Sequence, residues 1–323
     1  MPSQDSFVFG NAQMKSKRRV SLKKILSNIN LSKAEEIFRS KYKYLPGKKG
    51  RPPLSPRGLF LSFIIMYLRM ESYRDYHAFL EKHEFWKQHL GFNETPDIGN
   101  FSHFLKRIEK KTFEQLFASV VQQLLEQKFL NLHIVAIDGS IIPANMDDPE
   151  AGWGWDHIEE KYVYGYKIHA IVDINSELPI AIVVTEADVH DSTQFKPLYQ
   201  KMKNYVTCFP TKFFIADKAY DASYIRKILQ KDDIRPVIKA AHTPFEPQYP
   251  IWFYELYKKR TSVERFFSRF KDFLDLKKQR IYGRKNVELH CYVISMGMLL
   301  VGYFNQQSGF SPRSVKSFLR KYT

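Results

Sequence analysis

At Leu132 the hydrophobic period of the chain changes, and the change divides it into two architectures. From Leu54 to Leu130 apolar residues recur at three- and four-residue steps, as in Phe113, Leu116, Phe117, Val120, Val121 and Leu124, which marks amphipathic helices. Beyond it, His133 to Ser140 is a short β-branched run closed by a turn signal. Tyr166 to Ile174 and Pro179 to Thr185 follow as strands joined by the polar turn Asn175-Ser176-Glu177, so the three predict an antiparallel meander. The period then alternates: a helix over 193–203, a strand over 212–216, a helix over 222–229, a strand over 235–239 and a long helix from about Tyr254 to Leu276. Three strands followed by this alternation predict an α/β layer with a mixed sheet flanked by helices, preceded by an all-helical N-terminal region.

Charge bears on the partner. Lys plus Arg number 50 against 34 Asp plus Glu, a formal net charge of +16, which favours a polyanion. Nucleic acid is the first candidate, although a ribosome-associated or membrane-surface protein also fits the charge alone. Residues 1–50 hold twelve basic and three acidic side chains and lead into the Gly- and Pro-rich stretch that ends at Pro53. Cys208 and Cys291 are too few for a disulfide framework, and no metal-type Cys pair occurs. The first thirty residues are polar and basic, without a secretory signal, so a cytoplasmic location is expected. The longest apolar run, Cys291 to Phe304, falls short of the roughly twenty residues a bilayer requires. It predicts a buried helix and no membrane partner.

Candidate chemistry gathers on three acidic residues. Asp138 is expected at the end of the first strand and Asp217 at the end of the fourth, where ligands collect in open α/β sheets. Taken singly, each also suits a turn or a helix cap. On the long helix Tyr257, Arg260, Glu264 and Lys271 fall within about 60° of one another at 100° per residue, beside a Phe-rich packing face. A solvated face with Arg260 paired to Glu264 would share that pattern.

The segment Tyr257-Lys-Lys-Arg260-Thr-Ser-Val-Glu264, continuing to Lys271, resembles the DDE transposases of bacterial insertion sequences, in the group marked by Tyr, two residues, Arg, three residues, Glu, six residues and Lys. Ala136-Ile137-Asp138-Gly139-Ser140 is similar to the first acidic motif of that family. Ile215 to Asp221 is similar to the second, with Ala219 where Gly is more usual. The strand Tyr164 to His169 and the turn Ala187 to Ser192 also look like it, so the likeness runs from about Ile134 to Lys271.

The resemblance implies an RNase H-like catalytic domain. Only 46 residues separate Asp217 from Glu264, too few for the large β insertion of some relatives. It divides the chain into a basic arm and linker over 1–53, a helical DNA-binding domain over 54–130, the catalytic domain over 131–285 and a C-terminal helical segment over 286–323. It further implies two Mg²⁺ ions, with Mn²⁺ as a substitute. Asp138 would bridge them while Asp217 and Glu264 each complete one site. The implied partners are double-stranded DNA, as the terminal inverted repeats of the element and its target, and a second copy of the chain in a homodimeric DNA complex.

Arg260 and Lys271 suit phosphates flanking the scissile bond, and Tyr257 a phosphate or a displaced base. Lys218 and Arg265, next to two of the acidic residues, join them as DNA contacts. Trp153 and Trp155, in a Gly-rich loop between the first two strands, suit stacking on an unpaired base or a plug over the sheet edge. Arg51, in Gly50-Arg51-Pro52, is similar to an AT-hook core or is part of a plain basic linker. Residues 72–108 have the helical pattern of a helix-turn-helix-like unit. His157, His169 and His190 lack the spacing of a zinc phosphodiesterase and read as core or surface residues. A catalytically silent DNA-binding relative and a nuclease that cuts without joining remain alternatives at this level.

Overall fold

The computed structural model describes residues 36–38, 54–157, 159–206, 210–241, 247–275 and 280–315. Arg51, Cys208 and the end of the expected long helix at Leu276 lie outside them.

From Leu54 onward the described residues open with five helices: α1 Pro56–Leu68, α2 Tyr73–Lys82, α3 Glu84–His89, α4 Ile98–Arg107 and α5 Lys110–Glu126. Ser55 caps α1 and Pro56 opens it, where a missing N–H costs nothing. Every residue of α1 from Gly58 to Leu68 is buried, as its all-round apolar character requires. Ser72 and Asp75 form a reciprocal capping box at the start of α2.

The sheet follows: β1 Ile134–Pro143, β2 Gly152–Asp156, β3 Lys161–Asp173, β4 Leu178–Glu186, then α6 Phe195–Tyr205, β5 Phe213–Ala216, α7 Ser223–Lys231 and β6 Arg235–Ile238. β1, β3 and β4 are the antiparallel meander. β5 pairs parallel with β1 and β6 parallel with β5. The order β4-β3-β1-β5-β6, three antiparallel strands and then two parallel ones, is that of an RNase H-like sheet. α6 packs on β3 and β4.

Two expectations are corrected. The Gly-rich stretch with Trp153 and Trp155 is not a loop but β2, antiparallel to the first half of β3. Its glycines make this strand fit. A methyl on Gly154 would collide with the Ala187 backbone, so only a bare backbone can lie there, and that use of Gly in a strand has no clear period. Asp138 does not end β1, which continues to Pro143 on its β3 side. The parallel ladder to β5 ends at the pair Ile137 and Ala216, so Asp138 and Asp217 are the next residues on neighbouring strands.

The long C-terminal helix is also divided. α8 Ile251–Tyr257 passes through a 3₁₀ turn at Lys258–Arg260 into α9 Thr261–Phe273. The Thr261 hydroxyl donates to the Lys258 carbonyl at 3.2 Å, a local bond that competes with the α-helical pattern. α9 lays Val263, Phe266, Phe267, Phe270 and Phe273 into the core and packs on β1 and β3.

The last helix, α10 Arg284–Gln307, packs against α5, β4 and α1, joining the helical region and the sheet through one core. It is long and apolar enough to cross a bilayer, yet 94% of its apolar window is buried inside the protein.

Candidate active site

β1 and β5 deliver Asp138 and Asp217 side by side, and α9 delivers Glu264 across them. All three line one cleft of about 430 Å³, with Arg260, Lys271 and Trp155 on the same wall system. Asp138 is more enclosed than Glu264, its side chain 19% exposed against 47%. Its Oδ1 accepts from the Gly139 N–H at 2.9 Å, and its Oδ2 lies 3.3 Å from Arg260 Nη1. The other end of the Arg260 guanidinium reaches Glu264 Oε1 at 2.5 Å. Asp217 Oδ1 accepts from the Lys218 N–H at 2.6 Å.

Burial pushes the Asp138 carboxyl up to about 7, against the Gly139 N–H and Arg260, which favour its charged form; Asp191 and Asp217 add to the rise. For Arg260 burial works in the opposite direction from its neighbours, but Asp138, Glu264 and Asp217 prevail and hold the guanidinium above its usual range. Lys271 is lowered by burial, partly offset by Asp156 and Glu159.

Carboxylates are the ligands that a hard divalent cation prefers, and an enclosed carboxylate with a raised pKa gains from a neighbouring positive charge. Asp138, Asp217 and Glu264 therefore fit such an ion by donor chemistry. Among the described residues no three Asp, Glu, His or Cys side chains converge as a ready-made cage, and Arg260 supplies the positive charge between Asp138 and Glu264.

Four of the remaining expected residues do not line the cleft. Tyr257 stacks on Phe253, with the Lys239 ammonium 5.2 Å from its ring centre, and does not line the cleft. The tighter 3₁₀ turn between Tyr257 and Thr261 takes it off the stripe that straight helical spacing predicts. Arg265 donates to the buried Glu177 at 2.8 and 2.6 Å, so its guanidinium is committed to the β3–β4 turn. Trp153 is exposed and sits edge-on to Tyr164, outside the cleft lining. Lys218 is exposed beside Asp217 but also outside the lining.

Sequence reasoning passed over Lys167 and Asp191, both of which line the cleft. The only available signals were the alternation that puts Lys167 and His169 on one face of β3 and the family-like turn that holds Asp191. Asp191 lies 3.5 Å from Lys167 Nζ and 3.4 Å from His169 Nδ1. Burial pushes its carboxyl up, but His169 and Lys167 outweigh that and hold it below the usual carboxylate range.

The sheet is RNase H-like, with Asp138 and Asp217 just past the end of its parallel ladder and Glu264 on the facing helix. The model for the transposase DDE domain matches residues 131–300, and a second transposase domain model, of a type named only as DUF772, matches residues 11–107. The chain belongs to the DDE transposases of bacterial insertion sequences. It is 30% identical over 105 residues to the transposase described for insertion sequence element IS6501 of Brucella ovis, a match spanning 32% of this chain and 75% of that protein. Among solved structures it is similar to the piggyBac transposase synaptic complex with hairpin DNA, with 12% identity, a TM-score of 0.46 and coverage of 92% and 76% of the two chains. The Mos1 mariner paired-end complex with Mn gives 11% identity, a TM-score of 0.24 and coverage of 99% and 98%.

Proposed function

We propose that this transposase binds the terminal inverted repeats of its insertion sequence, cleaves phosphodiester bonds there and joins the freed 3′ ends to target DNA. The observation that carries this is the meeting of Asp138, Asp217 and Glu264, from β1, the end of β5 and α9, in one cleft with Arg260 and Lys271. Acidic residues alone would repel DNA; set between two cations, they suit a reaction at a phosphate.

Asp138, Asp217 and Glu264 would hold two Mg²⁺ ions, for which Mn²⁺ would substitute. Bound there, such ions stabilise the attacking and leaving oxygens of the phosphoryl transfer. Arg260 gives its guanidinium fork to a phosphate beside the scissile bond, and Lys271 holds a second one along the same helix. Trp155, on the cleft wall and 42% exposed, offers a stacking face to a base displaced at the DNA end. Trp153, Tyr257, Lys218 and Arg51 extend the DNA contact beyond the cleft.

The net charge of +16 gives the rest of the chain its attraction for the duplex. Two ends must be joined to one target, and the family resemblance implies a homodimer in the DNA complex. The protein would act on the nucleoid, in the bacterial cytoplasm.

The test is a joining assay: a linear duplex carrying the repeats that flank the gene, a supercoiled target plasmid and Mg²⁺. Products covalently joined to the plasmid support the reading. Cut ends without joining reduce the protein to a nuclease, and specific binding without cutting reduces it to a silent DNA-binding relative.

A further inference from the structure

Beside Asp138 the cleft contains polar groups that the acidic trio does not use. His169 is wholly buried on β3, two residues beyond Lys167. Its Nε2 is 2.9 Å from Thr185 Oγ1, and that hydroxyl donates its single proton to the Glu186 carbonyl, also at 2.9 Å. Burial lowers the pKa of this imidazole, while its contact with Asp191 raises it. Nδ1 lies 3.4 Å from Asp191 Oδ1, which Lys167 Nζ approaches to 3.5 Å.

Tyr220 provides a second, independent observation. It is fully buried on the 3₁₀ turn that follows Asp217, and its hydroxyl has no hydrogen-bond partner. Burial first, then the charges of Asp191, Asp138 and Asp217, raise its pKa.

Gly139, the residue after Asp138, contributes a third. A methyl group there would collide with Asp191 Oδ1 and come within 3.1 Å of His169 Nδ1. The absence of a side chain at position 139 is what lets the Asp191 carboxylate sit against the backbone next to Asp138. Lys167 keeps it there, with Nζ donating to the Val189 carbonyl at 2.9 Å and pairing with Asp191 at 3.5 Å.

Held ionised by Lys167 and His169, Asp191 sets a further carboxylate on the cleft wall next to Asp138, and carboxylates are the ligands a hard cation prefers. We propose that Asp191 is a fourth carboxylate of the cation site, contributing to the binding of the divalent ion next to Asp138. This rests on the metal-dependent reading of the cleft given above.

Mn²⁺ is the probe, and its binding to the complex of protein with inverted-repeat duplex is read from the electron paramagnetic resonance signal of the free ion. Asp191→Asn keeps the shape of the side chain and its acceptor for Lys167 while removing the charge. It is expected to bind Mn²⁺ about ten- to a hundred-fold more weakly at unchanged DNA affinity. Cleavage should fall at low Mn²⁺ and recover as Mn²⁺ is raised, which loss of mere structural support would not produce. Asp191→Glu, with its charge restored, should regain affinity that Asp191→Gln does not, and this pair carries the test if Asp191→Asn does not fold. Mn²⁺ affinity equal to the wild type in the uncharged variants overturns the proposal. Glu264→Gln separates the two claims. If it loses Mn²⁺ binding and cleavage while Asp191→Asn keeps both, only the role of Asp191 fails; if it too keeps both, the metal-dependent reading of the cleft fails.

Discussion

Nη1 of Arg260 lies 3.3 Å from Oδ2 of Asp138, bringing a helix cation onto a strand carboxylate 122 residues away in sequence. The same guanidinium pairs with Glu264, so one side chain holds together the β1 and α9 walls of the cleft. It is 23% exposed, open enough on one side to meet a phosphate.

Replacing Arg260 by Ala is therefore expected to weaken binding of the element ends and to lower the slope of log affinity against log salt by about one, the signature of one lost phosphate contact. A salt titration of end binding measures it. An unchanged slope would make Arg260 a purely internal partner of Asp138 and Glu264.

Asp138 predicts a pH-dependent stability. Its folded-state pKa, about 7 against an ordinary 3.8, is raised chiefly by burial, so the folded protein binds the extra proton between those values. The contribution is fully favourable below about 4 and is lost as pH rises through about 7. Without divalent ions, Asp138→Asn should be more stable than the wild type at pH 8, by at most about 4 kcal/mol, and the difference should vanish toward pH 4. Denaturant melts at the two pH values check this.

Glu177 is a second buried anion whose partners set its role. It is wholly buried at the β3–β4 turn and accepts from Arg265 and, at 2.8 Å, from Arg269. Burial pushes its carboxyl up, but these guanidinium groups hold it below the usual range, so its stabilisation is present at neutral pH and lost as pH falls through that lowered value. Glu177→Ala leaves Arg269, 12% exposed, without its counter-charge and is expected to cost about 3–5 kcal/mol. Arg265→Ala, at a side chain 49% exposed, should cost much less. The ordering of the two denaturation midpoints is the measurement.

Trp155 bears on binding as well as on folding. Trp155→Ala should cost on the order of 1–2 kcal/mol of stability, because the side chain is 42% exposed and keeps an edge contact with Tyr162. It should weaken complexes with an unpaired terminal base by about 1–3 kcal/mol. Equal affinity of both proteins for frayed and paired ends would remove stacking from the account.

The acidic trio was legible because its three motifs have fixed residue types at fixed intervals, and β1, β3 and β4 because buried strands are runs of β-branched residues. What was hidden depends on approach in space. Nothing local marks Gly139 as the place where Asp191 closes on β1, or Gly154 as a strand residue beneath Ala187. The break between α8 and α9 was hidden too, since Lys258-Lys259-Arg260 suits a helix and the Thr261 hydroxyl that tightens the turn is unremarked in a periodicity. The pairing of Arg265 was hidden as well, because its partner Glu177 is 88 residues away.

The most direct test is cleavage of a linear DNA carrying the repeats that flank the gene, by wild type and Glu264→Gln, with Mg²⁺, with Mn²⁺ and with EDTA. The account predicts nicking at the repeat boundary by the wild type with either ion, none with EDTA, and none by Glu264→Gln despite nearly unchanged DNA binding. Metal-independent nicking, or full activity in Glu264→Gln, would contradict it.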